Sequence, residues 1–351
     1  MYSKIKINKS NNLWKRAIKI IPTGAQTASK APDQFAEGVY PKYIERGQGA
    51  HVFDVDGNEY IDYPCALGVN FLGWNYPAVV NAVIKQAKKG FNFSLMSPLE
   101  VEVAELLIKH IPSAESVRFL KSGADACSGS VRIAKSYTKR NKIVACGYHG
   151  WHDWYIISSP KNSGISKSLK KDIIKFNYND LEHLNEIFKK NGDKIAAVIM
   201  EPLILDDPVC KCNDSKCKGP KTCQNHFLHE VKKIAHKNGA LLIFDEIVTG
   251  FRFGLGGIQS LYNITPDLTC LNKALANGLP LSAIVGNKKI MKECEKIFMS
   301  LTFGGETLSL AAAKAVIQEM EKKDVLKKIW SNGKILQTGF KKAIYKNNVN
   351  V

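Results

Sequence analysis

Leu241-Leu-Ile-Phe-Asp-Glu-Ile-Val-Thr-Gly-Phe-Arg252 holds a four-residue apolar run that stops on a carboxylate, and Leu268-Thr-Cys-Leu-Asn-Lys-Ala-Leu-Ala-Asn-Gly278 repeats the design with a lysine. Apolar runs of this length, bounded by turn residues, suit strands buried on both faces. Further runs stand at Val117–Leu120, Lys142–Cys146, Ala196–Met200 and Ser282–Val285. Helical periods fall between several of them, at Ala124–Tyr137, Leu181–Lys189 and Phe227–Lys237. This alternation predicts an α/β fold with a mostly parallel sheet and helices on both faces. Ligands of such sheets bind beyond the carboxyl ends of the strands, so the residues that follow each run are the candidates for chemistry.

Taken in order, those residues form a set. Lys121-Ser-Gly-Ala124 leads from a strand into a helix, where free N–H groups and a positive dipole end can hold a phosphate, although a plain β–α turn would read the same. Gly147-Tyr-His-Gly-Trp-His152 offers Tyr148 for stacking on a flat ring; His149 and His152 permit a metal only weakly at that spacing. Glu201-Pro202 follows the next run. Asp245 closes its strand where a carboxylate needs a cationic partner, a role also open to a simple cap or salt bridge. A desolvated Lys273 would lose proton affinity and become a nucleophile, whereas an exposed lysine would do nothing. Together, a phosphate nest, a stacking tyrosine, an acid and a lysine match the needs of pyridoxal phosphate: an amine for the aldehyde, a carboxylate for the ring nitrogen, an anchor for the phosphate.

Outward from this core, His51-Val-Phe-Asp-Val-Asp-Gly-Asn-Glu-Tyr-Ile-Asp62 reads as a hairpin turning at Asp56-Gly57. Ser97-Pro-Leu-Glu100 is a capping box opening the run Leu99–His110. The 351 residues, 45% hydrophobic and 23% charged, exclude disordered, collagen-like and disulfide-miniprotein classes. Fifty Lys and Arg against thirty-two Asp and Glu give a formal charge of +18. The lysines are mixed with acids and apolar residues and are not interleaved with aromatics, so the reading is solvated surface, not a nucleic-acid groove. No apolar run has the length of a membrane span, and the N-terminus lacks the pattern of a signal peptide. Nine cysteines, most in apolar settings, suit a reducing compartment, and the expected location is cytoplasmic.

On Leu242–Arg252, Asp267–Pro280 and Val52–Asp62, the chain resembles the class III pyridoxal-phosphate-dependent aminotransferases, in particular the glutamate-1-semialdehyde 2,1-aminomutase group, from about Pro22 to about Ile335. The resemblance implies a fold-type-I transferase with a mostly parallel seven-stranded sheet. It implies an N-terminal segment with short antiparallel strands (1–75), a large cofactor-binding α/β domain (76–315, with a Cys-rich insert at 206–224), and the start of a truncated C-terminal small domain (316–351). By position it implies Lys273 as the Schiff-base lysine and Asp245 as partner of the pyridine nitrogen. Ile247, where the family usually has valine, and Tyr148 would cover the two ring faces. Ser122, Gly123 and Ala124 would form the phosphate loop, with Thr302 reaching the phosphate from a neighbouring subunit and Glu201 near the cofactor. A homodimer sharing its active sites is implied, with a small-molecule amino donor and a carbonyl acceptor, and with neither nucleic acid nor membrane as partner.

The chain departs from that pattern in places. Asn272 replaces the usual glycine before the lysine, and Glu306-Thr307 replaces the usual Asn-Pro. No arginine stands in Thr23–Lys30, where the aminomutase has one for the substrate carboxylate; Lys30 is the nearest cation. These changes point to an amino or hydroxylated substrate in place of a simple dicarboxylic one. Cys210, Cys212, Cys217 and Cys223 could hold a structural zinc or be loop cysteines without metal. The expected activity is transamination through Lys273, as an aminotransferase or an intramolecular aminomutase. The alternative is a truncated, non-catalytic paralogue that binds the cofactor, or serves as a dimer partner or zinc-stabilised scaffold. The intact Lys273, Asp245 and Tyr148 speak against it, and the short C-terminus speaks for it.

Overall fold

The computed structural model describes residues 5–36, 38–204, 206–210, 219, 221, 223 and 225–349. A small antiparallel sheet comes first: β1 (Ile44–Gln48), β2 (His51–Asp54) and β3 (Glu59–Ile61). The β2–β3 hairpin turns at Asp56-Gly57 as its sequence predicts, with Gly57 at φ 88°. Asp54 is buried beneath it and organises the turn, accepting from the backbone N–H of Asp56 (2.9 Å) and Asn58 (2.8 Å).

The large sheet contains β4 (Ser116–Leu120), β5 (Lys142–Cys146), β6 (Ile173–Lys175), β7 (Ile195–Met200), β8 (Leu241–Asp245), β9 (Leu268–Leu271) and β10 (Ser282–Gly286). Their spatial order is β4-β10-β9-β8-β7-β5-β6, giving the expected seven strands. Only β10 runs against the others, antiparallel to both β4 and β9. The remaining six therefore end on one edge. Sequence periodicity missed β6, which has three residues and a single buried one, Ile173.

Alternation along the central strands explains why the sheet is covered on both sides. Ala197, Ile199, Leu241 and Ile243 share a core with Ala126, Cys127, Ile133 and Ala134 of the Gly123–Thr138 helix. Their neighbours Val198, Met200, Leu242 and Phe244 pack on the other face with the Leu181–Asn191 and Phe227–Lys237 helices. With both faces buried, each strand reads as a continuous apolar run. A third core joins β10 to the Pro77–Ala87, Pro98–His110 and Thr307–Lys322 helices through Val79, Val103, Leu107, Ala283 and Val316. Ser97 and Glu100 form the capping box that the sequence predicts. Beyond these cores runs the Val325–Lys346 helix, none of whose residues is buried. Among the described residues, no helix is long and apolar enough to cross a membrane.

Candidate active site

Asp245 is the last residue of β8, and strand alternation turns it toward the face carrying the Gly123–Thr138 helix. It is 2% exposed, so its charge needs donors. His149 Nδ1 lies 2.7 Å from Oδ2, the Cys127 thiol donates to the same oxygen at 3.3 Å, and the Ile247 backbone N–H donates to Oδ1 at 3.1 Å. A carboxylate only accepts, so the Nδ1 of His149 carries a proton. The other ring nitrogen, Nε2, is buried without a hydrogen-bond partner.

The turn after β5 is what places His149. Gly147 and Gly150 have φ of 105° and 94°. A Cβ on Gly147 would meet Glu201 Cγ at 2.9 Å, and one on Gly150 would meet Ala124 Cβ at 2.6 Å. Only glycine lets the turn lie this close to both neighbours. The imidazole is then held by Trp154, stacked at 6.4 Å, and Tyr155, edge-on at 5.2 Å. Cys127, His149 and Asp245 are a donor set that metals accept, and Cys127 and His149 each lie at hydrogen-bond distance from Asp245. His152 points elsewhere, with Nδ1 2.6 Å from Ser128 Oγ, so His149 and His152 are not a ligand pair.

Lys273 opens a 3₁₀ turn (Lys273–Ala276) beyond β9. Its φ of 47° is left-handed, a strained state for a side chain of this size. Neighbouring groups hold the turn in place. Asn272 Nδ2 donates to the Leu281 carbonyl at 2.6 Å, while Asn277 accepts from the Leu72 N–H at 2.7 Å and donates to the Gly73 carbonyl at 3.1 Å. No hydrogen bond or ion pair engages the Lys273 amine among the described residues. Burial lowers its proton affinity below the usual lysine range; Asp245 opposes that shift, Arg252 adds to it and Glu201 opposes it. Burial also raises the pKa of Glu201, against the Tyr148 N–H that it accepts at 2.8 Å.

The helix that follows β4 completes the edge. Ser122 caps it, exchanging hydrogen bonds with Asp125 (Ser122 N–H to Oδ2, 2.8 Å; Asp125 N–H to Ser122 Oγ, 3.1 Å). Among the described residues, the N–H groups of Gly123 and Ala124 keep no partner, at the positive end of a 16-residue helix. Ile247 lies against this end, where a Cβ on Gly123 would meet its Cδ1 at 2.7 Å. Tyr148, 62% exposed, stands beside the same edge with its ring 5.9 Å from that of Tyr155.

Of the residues singled out in the sequence, Ser122, Gly123, Ala124, Tyr148, Glu201, Asp245, Ile247 and Lys273 thus share one edge of the sheet. Thr302 stands apart and exposed, its carbonyl accepting from Asn92 Nδ2 at 3.2 Å. Cys212 and Cys217 lie outside the described residues; Cys210 bridges to His226 backbone to backbone. Glu306, read in the sequence as a sign of the substrate, is engaged within the fold. It caps the Thr307–Lys322 helix, accepting from the Leu308 and Ser309 N–H groups, and pairs with Lys121 at 3.1 Å. Sequence reasoning missed His149 and Cys127 as partners of Asp245. The available signal was that an acid at a strand end must find donors, and Tyr148-His149-Gly150 sits at the end of another strand.

The model of the family described as Aminotransferase class-III matches residues 35–350. A glutamate-1-semialdehyde 2,1-aminomutase of Wigglesworthia glossinidia brevipalpis is 36% identical over 342 residues, covering 93% of this chain and 75% of that protein. A 3-aminobutyryl-CoA aminotransferase of Cloacimonas acidaminovorans (strain Evry) is also 36% identical, over 353 residues, 100% of this chain and 82% of the relative. Among solved structures, the pyridoxal-phosphate internal aldimine form of the Sphingopyxis sp. MTA144 FumI protein superposes with a TM-score of 0.86 at 27% identity, covering 97% of this chain and 79% of that one. A transaminase with bound pyridoxal phosphate gives 0.79 at 26% identity, over 90% and 74% of the two chains. The seven-stranded sheet and its helices are therefore the fold of these transaminases, and the chain belongs to the class-III aminotransferase family.

Proposed function

We propose that this protein transfers amino groups with pyridoxal phosphate, covalently held by Lys273. The observation that carries this reading is the unengaged, half-buried Lys273 amine within electrostatic reach of Asp245, a buried carboxylate met by three donors. The fit extends to the phosphate, since Gly123 and Ala124 offer two N–H groups without a partner among the described residues at a helix N-terminus, and Ser122 keeps a hydroxyl proton to donate. When bound, pyridoxal phosphate supplies an aldehyde that condenses with amines and a protonated ring that draws electrons from the bond to be broken.

The chain's residues divide the remaining work. Asp245, oriented by His149 and Cys127, would hold a proton on the ring nitrogen of the bound group. Ile247 and Tyr148 would enclose the ring from two sides and keep water from it. Lys273, its proton affinity lowered by burial, would hold the group through its amine and serve as the base that moves the proton at substrate Cα. Glu201 holds the Tyr148 turn against the strand end. The net result would be delivery of the amino group to a second substrate, as in an aminotransferase, or to another carbon of the first, as in an aminomutase. Thr302 would reach the phosphate from a second copy. Phe298, Phe303, Phe91, Leu95 and Met96 are exposed, as side chains that such a partner covers would be in a single copy.

The test is the visible absorption of purified protein supplied with pyridoxal phosphate, with Lys273→Ala alongside. A coloured band present in the parent, absent from the variant and discharged by an amino donor is the expected result. A protein that stays colourless with excess cofactor would refute the reading.

A further inference from the structure

Cys127, His149 and Asp245 meet from three separate elements: the Gly123–Thr138 helix, the turn after β5 and the end of β8. One ligand atom from each, a sulfur, a ring nitrogen and a carboxylate oxygen, lies within 4.8 Å of the other two. Among the described residues no other three His, Cys, Asp or Glu side chains are gathered in this way. All three are buried, at 0%, 1% and 2% exposure. Cys270, beside Asp245 in the sheet register, stays out of the set, because its thiol donates to Ser130 Oγ at 3.3 Å. A thiol, an imidazole and a carboxylate converging in a buried pocket are more than Asp245 needs to be oriented. They are also the donors that a borderline-soft metal ion selects.

Zinc bonds sulfur at about 2.3 Å and nitrogen or oxygen at about 2.0–2.2 Å. Tetrahedral bonds of those lengths set nitrogen and oxygen about 3.4 Å apart, and sulfur and oxygen about 3.6 Å apart. Here His149 Nδ1 is 2.7 Å and Cys127 Sγ 3.3 Å from Asp245 Oδ2. Admitting the ion opens these contacts by only about 0.7 Å and 0.3 Å. Calcium and magnesium fit poorly, since they take oxygen ligands. The frame is firm: Gly147 and Gly150 fix the turn, and Trp154 and Tyr155 hold the imidazole. One feature of a permanent site is missing. A zinc-bound histidine ordinarily gives its second N–H to an acceptor, whereas Nε2 of His149 is buried without a partner. Lacking that outer partner costs about tenfold to a hundredfold in affinity, so an ion held here exchanges.

We propose that Cys127, His149 and Asp245 bind a zinc ion in the cofactor-free protein, with water in the fourth position, and that this ion and the cofactor exclude one another. On binding, the Cys127 S–H bond breaks, its proton goes to solvent and a sulfur–zinc bond forms. The imidazole proton moves from Nδ1 to Nε2, freeing Nδ1 for the metal, and no electron is transferred. Asp245 bonded to zinc no longer has a free carboxylate for a ring nitrogen, and it has lost the His149 proton that orients it. The ion site stands on the geometry alone. The exclusion of the cofactor rests on the amino-transfer reading above, and the experiment separates the two.

Cobalt, as an optical probe, and then zinc are added to cofactor-free wild type, Cys127→Ser, His149→Ala, Cys223→Ser and Lys273→Ala, with an unfolding curve for each. Cobalt on a thiolate gives a near-ultraviolet charge-transfer band. Wild type shows the band and zinc bleaches it. Cys127→Ser keeps a hydroxyl to donate to Asp245 but loses band intensity that Cys223→Ser and Lys273→Ala retain. His149→Ala needs at least about tenfold more metal. Zinc retained after gel filtration, read by mass spectrometry, falls in cofactor-loaded wild type by the amount that Cys127→Ser also lacks. A wild type without the band, or a band that Cys127→Ser keeps in full and Cys223→Ser loses, would overturn the proposal. So would equal zinc retention with and without bound cofactor. A protein that takes the ion through Cys127 yet never colours with pyridoxal phosphate would refute the amino-transfer reading, and the exclusion with it, while the ion site stands.

Discussion

Replacing His149 with leucine separates a positioning role from a structural one. The substitution deletes the Nδ1–H that meets Asp245 Oδ2 at 2.7 Å. Losing a hydrogen bond to a charged group costs about 1.5–3 kcal/mol. It also deletes Nε2, which is buried without a partner, and removing such an atom returns about 1–3 kcal/mol. The side chain is fully buried between Trp154 and Tyr155, and leucine fills much of the same space. The two effects nearly cancel, so stability in urea should shift by about 1 kcal/mol or less. Activity has no such compensation. Asp245 keeps only a thiol at 3.3 Å and one backbone N–H, and its orientation toward the ring is no longer fixed. If 1.5–3 kcal/mol of that alignment is lost where the reaction needs it, the rate with an amino donor falls about tenfold to a hundredfold at saturating cofactor. The assay is the single-turnover discharge of the visible band, beside an unfolding curve for the same preparation. A variant destabilised by more than about 3 kcal/mol that reacts normally per folded molecule would refute the reasoning, because His149 would then serve packing alone.

Other substitutions probe neighbouring groups. Burial lowers the proton affinity of Lys273, so the cofactor-free fold binds fewer protons there than the unfolded chain. Lys273→Met should therefore be slightly more stable than wild type at pH 7, by less than about 1 kcal/mol after solvent screening, and the gain should shrink as pH rises toward the ordinary lysine range; a destabilised variant in cofactor-free unfolding curves contradicts this. Gly123→Ala drives a methyl against Ile247 Cδ1 at 2.7 Å beside the free N–H groups, and should weaken cofactor binding about tenfold in a fluorescence titration, with unchanged affinity as the contrary result. Glu246, 1% exposed, accepts from the Ile258 N–H (2.8 Å), Gln259 Nε2 (3.1 Å) and Thr249 Oγ1 (3.2 Å). Glu246→Gln swaps an acceptor for a donor in that nest and should cost about 1–3 kcal/mol in urea unfolding; an unchanged midpoint would show that the nest rearranges freely.

Several features were legible because they are local. The capping box at Ser97–Glu100, the hairpin at Asp56-Gly57 and the helix over Phe227–Lys237 each depend on residues a few positions apart, and each stands where its pattern puts it. The β6 strand was not legible, since three residues cannot display a period. The capping role of Glu306 was not legible, for a subtler reason. An acid that departs from a family pattern looks like a change of substrate, yet its two oxygens are consumed by the N–H groups of Leu308 and Ser309, the Ser309 hydroxyl and the Lys121 amine. Cap and ligand-binding acid have the same sequence signature until the helix start is known.

The sequence by itself determined that apolar runs would end on Ser122, Tyr148, Glu201, Asp245 and Lys273, because a buried strand must stop where the chain turns polar. It thereby determined that these groups would share an edge, since parallel strands end together. Only the tertiary structure decided who meets whom across that edge. His149 reaches Asp245 from 96 positions away because β5, β7 and β8 are successive neighbours in the sheet, and Arg252 reaches the Gly68 carbonyl across 184 positions because a left-handed turn carries that carbonyl to it. Strand order and backbone handedness are settled by the packing of the whole core, so the pairings they create have no local trace in the chain.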